Sequence, residues 1–505
     1  MQNTNREEKS MRDYEFGNHL MMLRKSCGYS QFQLGTLVGV SDKAVSKWET
    51  GAAKPKYEIL LKLASILKVD LNQLAEETDR PIQSENGEMR RKRKALWDEA
   101  ERRLHSIYGE NPPLEAAGRF AQEKNLLEKT DVIILFDILR QLTDLAKKHG
   151  TLLTPRGMTC GSFAAWLMGA TAVNPLPAHA YCPACHRAVF HPEVKDGWDL
   201  PQTLCECGRE MQGEGHDLPF EVCICGRTDS LLSVDCNMAP ELHKDAWKCV
   251  LENVGGQYTL RRFKEPVLPR DGGPCYSLFL LPGGDHGTVK DIREVPEITP
   301  EEHWDAMMQF PSITLLPFGL EEGVLFSSDG HLPERADLLR PEIMMKALRN
   351  HTAKLRADED LSEKSYPDPK AYAGGMNFEK YLSLLGSVMN SYTVRGPEEL
   401  AEACGVGDFT ELPMSREALW NLLFQASGRD YRAIGVISEI VHKIRTGDYA
   451  RHMTAGDRAL FQSLNLPAWF REYASNVLYL FPGSHLVSYG LELLIRTRHE
   501  MKSSR

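Results

Sequence analysis

Between Phe16 and Leu74, apolar residues recur at helical spacing in short blocks, each of about three turns or less. Phe16, Leu20 and Leu23 form one block, Leu34 and Leu37 a second, Val45 and Trp48 a third, and Leu60, Leu63 and Leu67 a fourth. The punctuation between them is as regular. Ser30 and Ser41 stand where side-chain oxygens satisfy the free backbone donors of a helix start, and Gly28, Gly39 and Gly51 stand at helix ends. The pattern predicts five small helices, with Trp48 in their core rather than on the surface.

The second and third helices meet at the turn "VGVS". That is the helix-turn-helix arrangement, which lays its second helix in the major groove of DNA. With "SQFQL", "VSDKAVSKWE", the following glycine and "KP" in order, the segment over residues 11–78 resembles the Cro/repressor (XRE) class of helix-turn-helix domains. The resemblance implies that Asp42, Lys43, Ala44 and Lys47 face base edges, and that Gln31, Ser46, Thr50 and Lys54 lie near phosphates. Lysine can donate to guanine O6 and N7, whereas Asp42 can only accept. Double-stranded DNA is the partner this implies, with a homodimer on half-sites one helical turn apart.

A chain of 505 residues is too long for one core, so at least two domains are expected. With 42% apolar and 26% charged residues, the composition is that of an ordinary globular protein. No run approaches the roughly 20 apolar residues of a spanning helix, and the first thirty residues are charged rather than signal-like. A cytoplasmic protein with no membrane partner is expected. The net charge of −10 excludes a uniformly basic nucleic-acid coat but allows a basic face on one domain. "RPIQSEN" at 80–86 reads as linker, and residues 79–94 as a polar and basic join. The "RRKRK" run at Arg90–Lys94 is a solvated helix start that can add phosphate contacts.

Twelve cysteines bunch chiefly between Cys182 and Cys249, in close pairs. Without an export signal, metal binding or reduced thiols are expected rather than disulfides. Cys182 with Cys185, and Cys205 with Cys207, have the separation of a four-thiolate structural Zn2+ site, although the second pair is C-x-C rather than C-x-x-C. Cys223, Cys225, His186, His191 and His216 are nearby substitute ligands.

The same region, with "RG...GSF", "VNPLPAHAYCPAC", "CGRE" and "GHDLPFE" in order, resembles the PolC-type alpha subunit of bacterial DNA polymerase III. The likeness runs over about 95–505, weakly between Trp247 and Ala371. It implies an α+β palm-and-fingers body behind the all-α head: a helical entry at 95–180, a zinc-type insertion at 181–221, a palm at 222–375 and a helical fingers-like region at 376–505.

Polymerase chemistry needs carboxylates to hold two divalent ions. The resemblance places the first carboxylate at Ser233, the second at Asp235 and the third at Leu316, so Asp235 is the one remnant. No aspartate lies between Phe310 and Leu320. Its basic run for the triphosphate reads Arg445, Thr446, Gly447, Asp448, and Gly483 stands where the family has a lysine. The expectation is a sequence-specific DNA-binding regulator with a catalytically degenerate body. The alternatives are an active, Mg2+-dependent DNA polymerase targeted by its head, and a non-enzymatic mimic that binds replication proteins.

Overall fold

The computed structural model describes residues 20–67, 87–224, 233–318, 334–358, 375–429 and 464–503, apart from short interruptions, and five residues between 437 and 444. The chain divides into two compact units, Met1–Asn86 with Phe424–Ile440, and Gly87–Leu423 with Val441–Arg505.

In the first unit, Leu20, Met21 and Arg24 are helical. Three helices follow: α1 (Gln31–Val38), α2 (Asp42–Glu49) and α3 (Tyr57–Leu67). Ser30 and Gln33 form a reciprocal capping box at the start of α1, and Gly39 closes it at φ 81°, a left-handed conformation that suits glycine. Leu20, Leu34, Val38, Val45, Trp48, Leu60, Leu63 and Leu67 pack into one core. The periodicity misplaced Leu37, which is 51% exposed; Val38, four residues on from Leu34, is the inward residue. The fifth helix, Phe16, Leu23, Gly28 and Gly51 fall outside the described residues.

The second unit opens with α4 (Gly87–Tyr108), α5 (Leu114–Leu127) and α6 (Val132–Lys148). Helix α4 buries Met89, Arg93, Trp97, Ala100, Leu104 and Tyr108, one face at helical spacing. The basic run therefore belongs to the helix and not to the linker. Arg90 and Arg91 are exposed, while Arg93 is buried in an ion pair with Asp131 at 2.8 Å. Every residue from Val132 to Leu139 is buried, so α6 is central to this unit.

Five strands form the main sheet: β1 (Thr154–Arg156), β5 (Ser233–Asn237), β6 (Tyr258–Glu265), β7 (Cys275–Pro282) and β8 (Ser312–Leu316), in the order β1-β5-β8-β7-β6. Strand β5 runs antiparallel to β1 and parallel to β8. One face is apolar, with Val234, Cys236, Ile313, Leu315, Leu278 and Leu280 all fully buried. The alternation of strand side chains puts Ser233, Asp235 and Asn237 on the other. A second small sheet, β3-β2-β4, is built from β2 (His179–Tyr181), β3 (Ala188–Phe190) and β4 (Gln212–Glu214). Helices α7 (Phe163–Leu167), α8 (His243–Val254) and α9 (Gly483–Ser503) flank these sheets in sequence, and α9 packs against β1.

Candidate DNA-binding face, metal centre and palm site

Helix α2 presents Asp42, Lys43 and Lys47 to solvent, while Ala44 and Ser46 are half-buried. Asp42 accepts the Lys43 backbone N–H at 2.9 Å, so part of its acceptor capacity stays at the helix start. Gln31 is less free than the sequence suggested. Its Nε2 donates to Glu49 Oε2 at 2.8 Å, and Arg24 Nη2 donates to the same oxygen at 3.0 Å. Arg24 and Glu49 are both buried, so this pair fixes the end of α2 against the preceding helical segment. No periodicity signals a contact between residues 25 apart. Thr50 and Lys54 lie outside the described residues.

The four predicted thiols converge. Cys182 follows β2, Cys185 lies in the turn to β3, and Cys205 and Cys207 lie in the turn before β4. Cys182 Sγ is 3.5 Å from Cys207 Sγ, Cys185 Sγ is 3.4 Å from Cys205 Sγ, and all four atoms lie within 4.8 Å of one another. A tetrahedral zinc with Zn–S bonds of ~2.3 Å requires sulfurs about 3.8 Å apart, so the set fits that ion. The short second knuckle is accommodated by Gly208 at φ 81°, whose N–H donates back to the Cys205 carbonyl at 2.8 Å. Backbone N–H groups of Cys185 and Ala184 hold the Cys182 thiol below its ordinary range, while hydrogen bonds among the thiols keep Cys185 and Cys207 above theirs.

The substitute ligands are engaged elsewhere. His186 Nδ1 meets the Ile107 carbonyl, His191 pairs with Glu193, and His216 pairs with Asp196. Cys223 Sγ lies against Gly161. Cys225 is outside the described residues.

On the polar face of the main sheet, the register aligns Arg156, Asp235, Thr314 and Ser277 across β1, β5, β8 and β7. Ser233 pairs with Ser312, and Leu316 with Asn237. The side chain beside Asp235, within reach of any shared metal, is thus Thr314, two residues before the position assigned from sequence. The hydroxyls are matched to one another. Ser312 Oγ donates to Ser233 Oγ at 3.1 Å, and Ser277 Oγ and Thr314 Oγ1 are 2.7 Å apart. Asp235 is exposed, while Ser277, Ser312 and Thr314 are buried.

The C-terminal helix closes the β1 side of this face. Ser484 Oγ donates to the Gly157 carbonyl at 3.0 Å and Ser488 Oγ to the Pro155 carbonyl at 2.7 Å. Asn237 Nδ2 donates to the buried Glu492 carboxylate at 3.0 Å, which also pairs with Arg496 at 3.2 Å. Glu492 is a carboxylate that the sequence comparison had no reason to single out, because it lies 255 residues from Asn237. Arg445–Asp448 lie outside the described residues, so the basic run stays a sequence observation.

Residues 20–74 match the helix-turn-helix family model, and residues 94–262 match the model described as the bacterial DNA polymerase III alpha NTPase domain. The chain joins a helix-turn-helix domain to a PolC-like segment. Over 140 residues it is 35% identical to the PolC-type DNA polymerase III of Pediococcus pentosaceus, covering 27% of this chain and 10% of that protein. The corresponding protein of Clostridium perfringens is 34% identical over 142 residues, 28% of this chain and 10% of that one. That of Lacticaseibacillus paracasei is 31% identical over 160 residues, 31% and 11%. The chain thus spans about a tenth of the length of the curated relatives it matches. The match to that family model ends at Arg262, inside β6, before β7, β8 and α9. No helix among the described residues is long and apolar enough to cross a membrane.

Proposed function

We propose that this protein is a sequence-specific, double-strand DNA-binding regulator whose PolC-like body is catalytically silent. The observation that carries the second half is the hydroxyl pairing on the palm face. Where two metal ions would need carboxylates around Asp235, the neighbouring polar side chains on β5 and β8 are Ser233, Asn237, Ser312 and Thr314, all neutral. Neutral hydroxyls bonded to one another offer neither charge nor free lone pairs enough to strip two Mg2+ ions of water.

Charge separates the two parts in the same sense. Residues 20–74 carry eight Lys and Arg against four Asp and Glu, whereas residues 87–505 carry 48 against 58. Phosphate affinity is therefore concentrated in the head, with Lys43 and Lys47 exposed on α2. A body that is net acidic suits a protein partner, such as a replication protein, better than a template. In the lobe, Cys182, Cys185, Cys205 and Cys207 would hold Zn2+ in a closed site that folds the loop rather than performing chemistry.

The test is selection from a randomised duplex pool with the full chain and with Lys43→Ala/Lys47→Ala, beside a primer-extension assay with Mg2+ and deoxynucleotides. A duplex motif enriched by the wild type and lost in the variant, with no primer growth, is the expected result. Primer growth dependent on Asp235 would identify a targeted polymerase instead.

A further inference from the structure

We propose that the cysteine lobe is a metal-responsive strap. Its turn at residues 196–199 grips the helix Phe378–Met389 and the short helix Arg335–Leu338 while the four thiols share Zn2+, and metal loss is relayed through both to α9. The inference rests on reading Cys182, Cys185, Cys205 and Cys207 as a zinc site, and goes beyond it by giving occupancy an effect outside the lobe.

The turn is built into the lobe. Asp196 is buried, and accepts the Trp198 N–H at 2.9 Å and the His216 Nδ1–H at 2.8 Å. Gly197 crosses β4 so closely that a Cβ would collide with the Glu214 backbone, and its N–H donates to the Gly215 carbonyl at 2.7 Å. Strand β4 pairs with β2, with Tyr181 opposite Gln212, and Cys182 follows β2 directly. The strands that bring the thiols together therefore also set the position of the turn.

Two arms leave this turn. Asp199 accepts the Phe378 and Glu379 N–H groups at 2.6 and 2.9 Å, so a helix 179 residues away takes its N-terminal cap from the lobe. The Trp198 ring meets that of Phe378, centroids 4.7 Å apart, and carries the Arg335 guanidinium at 4.5 Å. Arg335 also donates to the Gly213 carbonyl and the Glu214 carboxylate. Both arms end on α9. Tyr381 donates to the Gly490 carbonyl at 3.0 Å, and Arg498 donates to Asp337 at 2.8 Å. The same helix secures β1 through Ser484 and Ser488, so the relay reaches the edge of the main sheet.

The junction is held at a cost. Trp198 Nε1, Glu214 Oε2 and His216 Nε2 are buried with no hydrogen-bond partner among the described residues. Burial pushes the Asp199 carboxyl up to about 6, against the two helix N–H groups that favour its charge. All four groups regain water when the turn comes away. These costs offset part of what the cap and the ring contacts contribute, so a loosened lobe gives up the junction more readily than it would a fully satisfied one.

Hydrogen–deuterium exchange of the full chain tests this, with zinc content measured colorimetrically on the same samples. Stripping the metal with a chelator under reducing conditions should speed exchange at the start of the Phe378–Met389 helix about tenfold or more, together with β2–β4, while α6 stays protected. Asp199→Ala should keep one zinc per chain and exchange at that helix start as fast as stripped wild type. Should Asp199→Ala fail to fold, Arg335→Gln reads the second arm in the same way, at residues 335–338. Loaded and stripped wild type exchanging alike at both helices, with β2–β4 loosened by stripping, would overturn the relay and leave the zinc site standing. A chain that neither carries nor takes up zinc would overturn both.

Discussion

Ser233 and Thr314 each retain a hydroxyl partner in the place where a metal bridge would need charge. Replacing both by Asp would set three carboxylates around one point, repelling one another until a cation intervenes. Ser233→Asp/Thr314→Asp should therefore melt lower than wild type in EDTA, recover with Mn2+, and give a bound-Mn2+ EPR signal that wild type lacks. The buried Arg24–Glu49 pair sets another expectation. Arg24→Ala leaves a buried carboxylate and should cost the head about 3–5 kcal/mol in urea unfolding. His179 is held near 4 by burial, with its Nε2 on the Tyr108 hydroxyl at 2.9 Å. Its folded value lies below the unfolded one near 6.5, so the unfolded state takes up the proton first as pH falls. The stability it contributes is present above about pH 6.5 and shrinks toward pH 4, by about 1.4 kcal/mol per unit. His179→Gln should flatten that slope in denaturation curves taken across the window.

At the scale of elements, the cysteine lobe provides the sharpest forecast. Its three strands have three residues each, too short to hold without a cross-link. Purified protein should release one zinc per chain to a thiol-modifying reagent in a colorimetric assay. Cys182→Ser should abolish that and raise amide exchange in β2–β4 while leaving α1–α3 protected. The thiol set was legible because knuckle spacing is local, and the N-cap at Ser30 was legible for the same reason. The palm register was not. Strands β5 and β8 pair in parallel across 79 residues, and that register sets Thr314 beside Asp235 and Leu316, the position the resemblance gives for the third carboxylate, beside Asn237. Both lie on the face that carries Asp235, because strand side chains repeat every second position. Leu37 failed differently: Leu34 and Leu37 fit helical spacing, but so do Leu34 and Val38, and packing chose the latter.

For the whole molecule, the division of charge governs how binding responds to salt. If the head alone meets phosphates, the slope of log K against log salt reports only its few contacts. Lys43→Ala/Lys47→Ala, which remove base-edge contacts, should weaken binding to the selected motif with little change in slope, whereas Arg90→Ala/Arg91→Ala should leave both affinity and slope unchanged. Filter binding between low and moderate salt checks both. The core of the head was readable from sequence, since it is made of contacts among residues 20–67. The body was readable as a resemblance, but Glu492 entered the argument only once residues hundreds of positions apart had been brought together.

That separation has a consequence during synthesis. Strand β1 is secured by Ser484 and Ser488, so the edge of the main sheet waits for α9. The core residues of the helix-turn-helix segment are all made by residue 67, and at roughly 5–20 residues per second the ribosome needs about 20–80 s more to reach residue 483. Throughout that interval a folded DNA-binding head would hang from a ribosome beside an unfinished body. Where messages are translated while still attached to their templates, the nascent head meets nearby DNA before its own second unit is complete.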